Sequence, residues 1–182
     1  EREIAHLESL YAEVEAESVT RAALVLAPPG GGKSRIRHEL LSRLAARPKK
    51  PIVLLGRGSS AFGGGSPFGL IGSAIRAHAR IQADEPIANQ RQKLGATIRE
   101  GTTSTFMPLL AQIAAVDDPQ PRAVGDGMFV ADLVRDAFER WIEQVTKSAP
   151  LVIVFEDVHA GDVASVALVE SILRNLPDLP VL

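Results

Sequence analysis

The chain has 182 residues, 46% of them hydrophobic, and 20 Lys and Arg against 22 Asp and Glu give a net charge of −2. That describes one globular domain, residues 1–182, with a substantial core; no apolar run approaches the roughly 20 residues that span a bilayer, so a membrane chain is excluded. With no cysteine there is no disulfide framework or thiolate metal site, no signal-peptide pattern is visible, and the near-neutral balance carries no global basic field for nucleic acid.

Residues 3–18 read as an acidic amphipathic helix, with Ile4, Leu7, Tyr11 and Val14 on one face. The apolar run Ala22–Leu26 follows, and Leu24, Val25 and Leu26 predict a short buried strand. It leads straight into Ala27-Pro28-Pro29-Gly30-Gly31-Gly32-Lys33-Ser34, after which Ile36, Leu40, Leu41 and Leu44 mark a helix to about Ala46. Strand, glycine turn with Lys-Ser, then helix is the context a phosphate-binding P-loop requires. The one departure from the G-x-x-x-x-G-K-[ST] pattern is Ala27 in place of the first glycine. Backbone N–H groups of Pro29 to Arg35, proline excepted, would face phosphate oxygens together with the positive end of the helix. Lys33 would reach the β- and γ-phosphates and Ser34 would ligate Mg²⁺. The nucleotide-binding set is therefore Pro29, Gly30, Gly31, Gly32, Lys33, Ser34 and Arg35.

Arg35, Arg37, Arg43 and Arg47, then Lys49 and Lys50, form the local basic row; it reads as a solvated helix face, with Arg47 placed to favour the helix C-terminus. Pro48 and Pro51 bracket a turn into a second strand, Ile52–Leu55. The stretch from Gly56 to Gly69 contains Gly63-Gly64-Gly65; it lacks a Lys-Ser pair and reads as a flexible connector, with a lid as the sharper alternative. Helical patterns occupy about 69–80, 88–100 and 104–115, with a turn at Asp117–Pro121. A longer helix at about 128–147 carries Val130, Val134, Ala137, Phe138, Trp141 and Val145 as a core stripe.

Leu151 to Phe155 is an uninterrupted apolar run, the pattern of a parallel strand buried on both faces. Glu156 and Asp157 stand at its C-terminal end, where open α/β sheets bind ligands. This is a Walker B pattern: Glu156 is the expected magnesium ligand beside Ser34, and Asp157 the expected base, so the catalytic candidates are Glu156 and Asp157. Many P-loop ATPases place Asp first; the shorter Asp157 in the base position predicts slow turnover, since a misplacement of about 1 Å costs about a hundredfold in rate. His159 reads as a structural residue, with γ-phosphate sensing as the alternative, and Asp162 as the N-cap of a helix at 163–175. Glu1 without a preceding Met and a close on Pro180-Val181-Leu182, the opening of another strand, predict a segment of a longer protein. Strands alternating with helices predict an α/β layered fold.

The runs A-P-P-G-G-G-K-S-R-I-R-H-E-L-L (Ala27–Leu41) and F-E-D-V-H-A-G-D (Phe155–Asp162), with G-S-P-F-G-L at Gly65–Leu70, resemble bacterial signalling ATPase modules of the AAA/STAND type. These origin-recognition-like AAA domains occur beside serine/threonine protein kinase, adenylate cyclase or LuxR-type regulatory domains. The resemblance implies a P-loop NTPase three-layer sandwich with a mostly parallel sheet, truncated before its later core strands. It also implies that a further strand sits between the P-loop strand and the Walker B strand. The family often has Trp after the Walker B histidine, where this chain has Ala160. Expected cofactors are ATP and Mg²⁺. Expected partners are ATP and other domains of the same polypeptide, in the cytoplasm, with no membrane or nucleic acid and with self-association open. The function implied is an ATP-binding regulatory module. The alternatives are a DNA-associated origin-recognition-like ATPase and a nucleotide-independent scaffold. A small-molecule kinase, with Arg91, Lys93 and Arg99 as its basic lid, is a further one.

Overall fold

In the run Leu151–Glu156, alternate side chains go to opposite faces, as the period of two in a strand demands. Leu151, Ile153 and Phe155 join one hydrophobic cluster, while Val152 and Val154 join the other. Helices therefore cover both faces of the sheet, and the architecture is a three-layer α/β sandwich. The computed structural model describes residues 1–58, 67–98, 103–116 and 127–182. The Gly63–Gly65 cluster, Arg99 and the Asp117–Pro121 turn lie outside the described residues.

The α-helices and strands among the described residues follow one another as α1 (Arg2–Glu17), α2 (Lys33–Ala45), β1 (Ile52–Arg57), α3 (Gly69–His78), α4 (Ile87–Gly95), α5 (Thr103–Ile113), α6 (Gly127–Thr146), β2 (Leu151–Glu156) and α7 (Val163–Asn175). The strands pair in parallel, from Ile52 opposite Leu151 to Arg57 opposite Glu156. Parallel pairing brings both C-terminal ends, and so Arg57 and Glu156, to the same edge.

The larger cluster packs α3, α5, α6 and α7 against one face of the sheet. Trp141 is fully buried there, with Phe138 at 6.1 Å and His78 at 6.2 Å between ring centroids. The Trp141 indole N–H donates to Thr97 Oγ1 at 3.2 Å, which supplies the partner that a buried indole needs. On the opposite face, α1 and α2 meet through Leu7, Tyr11, Leu40 and Leu44 over Val152. Burying each such aliphatic side chain contributes about 1.5–3 kcal/mol. Helix α1 stops at Ser18, which turns left-handed at φ 53°.

The basic row is solvated only in part: Arg35, Lys49 and Lys50 are exposed, whereas Arg43 and Arg47 are paired. Arg43 pairs with Glu8 at 3.0 Å and Glu39 at 2.8 Å. Arg47 pairs with Glu15 at 3.1 Å and lies 4.9 Å over the Tyr11 ring. The reason is α1: its glutamates stand opposite these arginines once Leu7 and Tyr11 dock.

A second expectation is corrected at Ala22–Leu26, which is not a buried strand. Leu24 is 79% exposed and Leu26 82%, and ladder pairing in this segment is confined to Thr20. On the far side of β2, Pro180–Leu182 forms the start of another parallel row: Leu151 N donates to Pro180 O at 2.8 Å and Ile153 N to Leu182 O at 2.7 Å. Val181 also bridges Thr20, and Arg21 N donates to its carbonyl at 2.8 Å. The lateral order is thus β1, β2, the Val181 row, then Thr20. Among the described residues no neighbouring row pairs with Ala22–Leu26, and an extended segment without ladder partners does not form a strand. A cavity of about 450 Å³ lies between that segment and β2.

Candidate functional site

The glycine turn is built by its own backbone. Gly31 N donates to Pro28 O at 2.9 Å, closing the bend. Gly30 and Gly32 take φ of +77° and +84°, conformations that a side chain strains. A Cβ on either meets nothing within 4 Å, whereas one on Gly31 comes 2.9 Å from the Ala27 methyl and from Pro28 O. Helix α2 begins at Lys33 with Gly32 as its N-cap and no side-chain cap, so the first N–H groups of the helix keep no intrahelical partner.

Lys33 folds back over the turn, where Nζ donates to Ala27 O at 2.7 Å and Pro28 O at 3.2 Å. Pro29, Ser34 and Arg35 are exposed, and among the described residues the Ser34 hydroxyl has no hydrogen-bond partner. Glu156 closes β2. Its Oε2 accepts from Arg37 Nη1 at 2.9 Å, Arg57 Nη2 at 2.5 Å and Arg57 Nε at 3.1 Å. The Glu156 carboxylate, with a smaller contribution from Asp157, holds Arg57 above the usual guanidinium range. Asp157 follows in a left-handed turn at φ 52° and is exposed. Gly58 is needed beside it, because a Cβ there would come 2.3 Å from Asp157 O.

Lys33, Ser34, Arg37, Arg57, Glu156 and Asp157 all line the cavity between the Ala22–Leu26 segment and β2. Three stretches distant in sequence, the start of α2, the end of β1 and the end of β2, thereby share one wall. Pro29, Gly30, Gly31, Gly32 and Arg35 form the adjoining loop and first helical turn rather than that wall.

Asp162 is the N-cap expected of it, accepting from Ser165 N at 2.7 Å. It also accepts from Phe68 N at 2.8 Å and Leu70 N at 3.1 Å, so one carboxylate serves the first turns of both α7 and α3. Burial would raise its pKa, but these bonds and that from the Ser165 hydroxyl outweigh it and hold the carboxyl below its ordinary range. His159 is exposed in the short turn Val158–Ala160. Of the three basic residues considered for a kinase lid, Lys93 is engaged by Glu85 and by Arg80 O at 2.9 Å. Arg91 is exposed.

Sequence reasoning missed Arg37 and Arg57 as neighbours of the acidic pair. Arg57 was findable: parallel strands that both end at the ligand edge place their last residues side by side. Arg37, one turn beyond Ser34, carried no such signal.

The layered parallel sheet and the glycine turn at the start of α2 are the features of a P-loop class of α/β domain. A family model for the AAA ATPase domain matches residues 1–182, and the chain belongs to that family of P-loop NTPases. No curated protein and no solved structure matches the chain. No helix among the described residues is long and apolar enough to cross a membrane.

The residues present fit a magnesium-bound nucleoside triphosphate. The turn has open space at Gly30 and Gly32, unpaired helix N–H groups and a lysine behind it, and a hydroxyl and two carboxylates on the adjoining wall. Magnesium binds through few protein oxygens of this hard, anionic kind and keeps several waters.

Proposed function

We propose that this domain binds Mg-ATP at the Pro29–Arg35 loop and acts as a regulatory ATPase module of a larger signalling protein, with slow or partner-dependent hydrolysis. The observation that carries this reading is the cavity wall shared by Lys33, Ser34, Glu156 and Asp157. The N–H groups of the turn and of the first turn of α2 hold the phosphate chain. Lys33 exchanges the Ala27 and Pro28 carbonyls for the β- and γ-phosphate oxygens. Ser34 and Glu156 would hold the metal, which would supply positive charge against that developing on the phosphates. Asp157 accepts the proton of the attacking water. The pairing of Arg43 and Arg47 with glutamates of α1 leaves less of α2 for a DNA backbone, which favours a regulatory module over a DNA-associated one.

Calorimetric titration with Mg-ATP, beside the Lys33→Ala variant, tests the reading. Saturable binding that the variant loses is the expected result. Equal heats from both proteins, or none from either, would overturn it.

A further inference from the structure

We propose that the cavity between the ends of α3 and α6, at the edge of the sheet opposite the glycine turn, binds a small uncharged molecule that carries a planar amide or similar donor–acceptor head on an apolar body. It is separate from the nucleotide cavity: Ile52, which lines it, opens β1, whereas Arg57, which lines the other, closes that strand. The cavity holds about 350 Å³, within the range of roughly 300–1,000 Å³ that small-molecule sites occupy. Ile52, Ile98 and Val145 supply apolar wall, and His78, Gln144 and Ser148 supply polar atoms. An apolar wall with a few polar groups is what holds and orients a small ligand.

Two of the polar groups have bonding capacity to spare. The Thr97 hydroxyl, also in the wall, is used twice: it accepts from the Trp141 indole at 3.2 Å and donates to Leu94 O at 2.7 Å. Ser148 Oγ donates to Val145 O at 2.9 Å. His78 and Gln144 are half-buried, yet neither the imidazole nor the carboxamide has a hydrogen bond among the described residues. No wall residue among them carries a fixed charge; Glu143 and Lys147, beside Gln144 and Ser148 in sequence, are exposed and do not line the cavity. Burial holds the His78 pKa below its ordinary 6.5, so at pH 7 the ring is neutral, with one donor and one acceptor nitrogen. A charged ligand would lose hydration there without meeting a counter-charge. An amide instead pairs its N–H and C=O with neutral partners, which selects the uncharged class.

The chain has a single tryptophan, and Trp141 touches this wall through His78 and Thr97, so its fluorescence reports occupancy. The test is titration at pH 7 with three probes that share one ring, benzamide, benzoate and benzylamine, followed by Trp141 fluorescence and by ligand-observed saturation-transfer NMR. Benzamide should bind saturably, with half-saturation on the order of a millimolar, as the size of the probe allows. Benzoate and benzylamine should bind at least about tenfold more weakly. Gln144→Leu should weaken benzamide about fivefold, the loss of one hydrogen bond, and Ala96→Phe, which puts a ring into the cavity from its wall, should abolish binding. Thermal melting shows that each variant stays folded. No saturable signal by either method from folded wild-type protein would overturn the proposal. Tighter binding of benzoate or benzylamine would overturn the uncharged class. Benzamide binding that neither variant weakens would place the ligand elsewhere and overturn the site. None of these results bears on Mg-ATP binding, which the Lys33→Ala titration tests independently.

Discussion

Thr20 and Val181 form a parallel bridge, and through it the segment leading to the glycine turn is attached to the sheet. The Thr20 hydroxyl reinforces the junction by donating to Leu176 O at 2.6 Å and lying 3.0 Å from Leu179 O. The P-loop is thus anchored seven residues upstream, while Ala22–Leu26 runs on without a ladder.

Thr20→Val keeps the β-branched shape and removes that hydroxyl. It leaves two part-buried carbonyls without their donor, which costs about 1 kcal/mol. Urea unfolding should show this as a lower midpoint with an unchanged slope.

Lys33→Ala removes an exposed side chain whose hydrogen bonds among the described residues go to two carbonyls of its own loop. Stability should stay within about 0.5 kcal/mol of wild type. On the reading proposed here, nucleotide affinity should fall about tenfold to a hundredfold, the loss of one strong bond to a charged group. Melting and calorimetry on one preparation separate the two effects.

Asp162→Ala strips the caps from α3 and α7 together. A lost cap costs about 0.5–2 kcal/mol, and the Phe68 and Leu70 N–H groups are orphaned as well, so the total should be about 2–3 kcal/mol. The Asp162 pKa is lowered in the fold from an ordinary 3.8. Its contribution is therefore complete above that value and lost as pH falls through the depressed folded pKa. The stability gap between wild type and variant should be constant at neutral pH and shrink below about pH 4.

His78 titrates the other way round in solvent and fold. Burial against Trp141 lowers its pKa from 6.5, so the unfolded chain binds the proton first as pH falls. Stability should decline below about pH 6.5, and His78→Phe should flatten that slope between pH 5 and 7. Chemical denaturation at half-unit pH steps would show it; an equal slope in both proteins would remove His78 as the cause.

Tyr11 is fully buried, yet its hydroxyl has no hydrogen-bond partner among the described residues. A buried unsatisfied hydroxyl is destabilising, so Tyr11→Phe should raise stability by up to about 1 kcal/mol. It retains the ring beneath Arg47. Thermal melting that shows a loss instead would mean the hydroxyl is bonded in solution.

Helix positions were legible because their cause is local. The stripe Ile4, Leu7, Tyr11 and Val14 is the buried face of α1, and Asp162 caps α7 at the residue its sequence position indicates. The apolar run Leu151–Phe155 is likewise β2 with both faces covered. The same local logic failed at Leu24–Leu26. An apolar triplet shows readiness to be a strand, but a strand exists only where another chain segment offers its N–H and C=O groups.

The glycine turn, its lysine and serine, and the acids after a buried strand are set by residue type and spacing over a few positions. Their chemistry could be read without coordinates. Which groups they meet depends on segments far apart in the chain. Arg57 reaches Glu156 because β1 and β2 pair in parallel and in register, and Arg37 reaches it because α2 packs over β2. The glutamates of α1 take up Arg43 and Arg47 for the same reason. Periodicity and motif spacing carry information over one or two turns of chain, whereas charge pairing follows proximity in space, which the docking of layers alone creates.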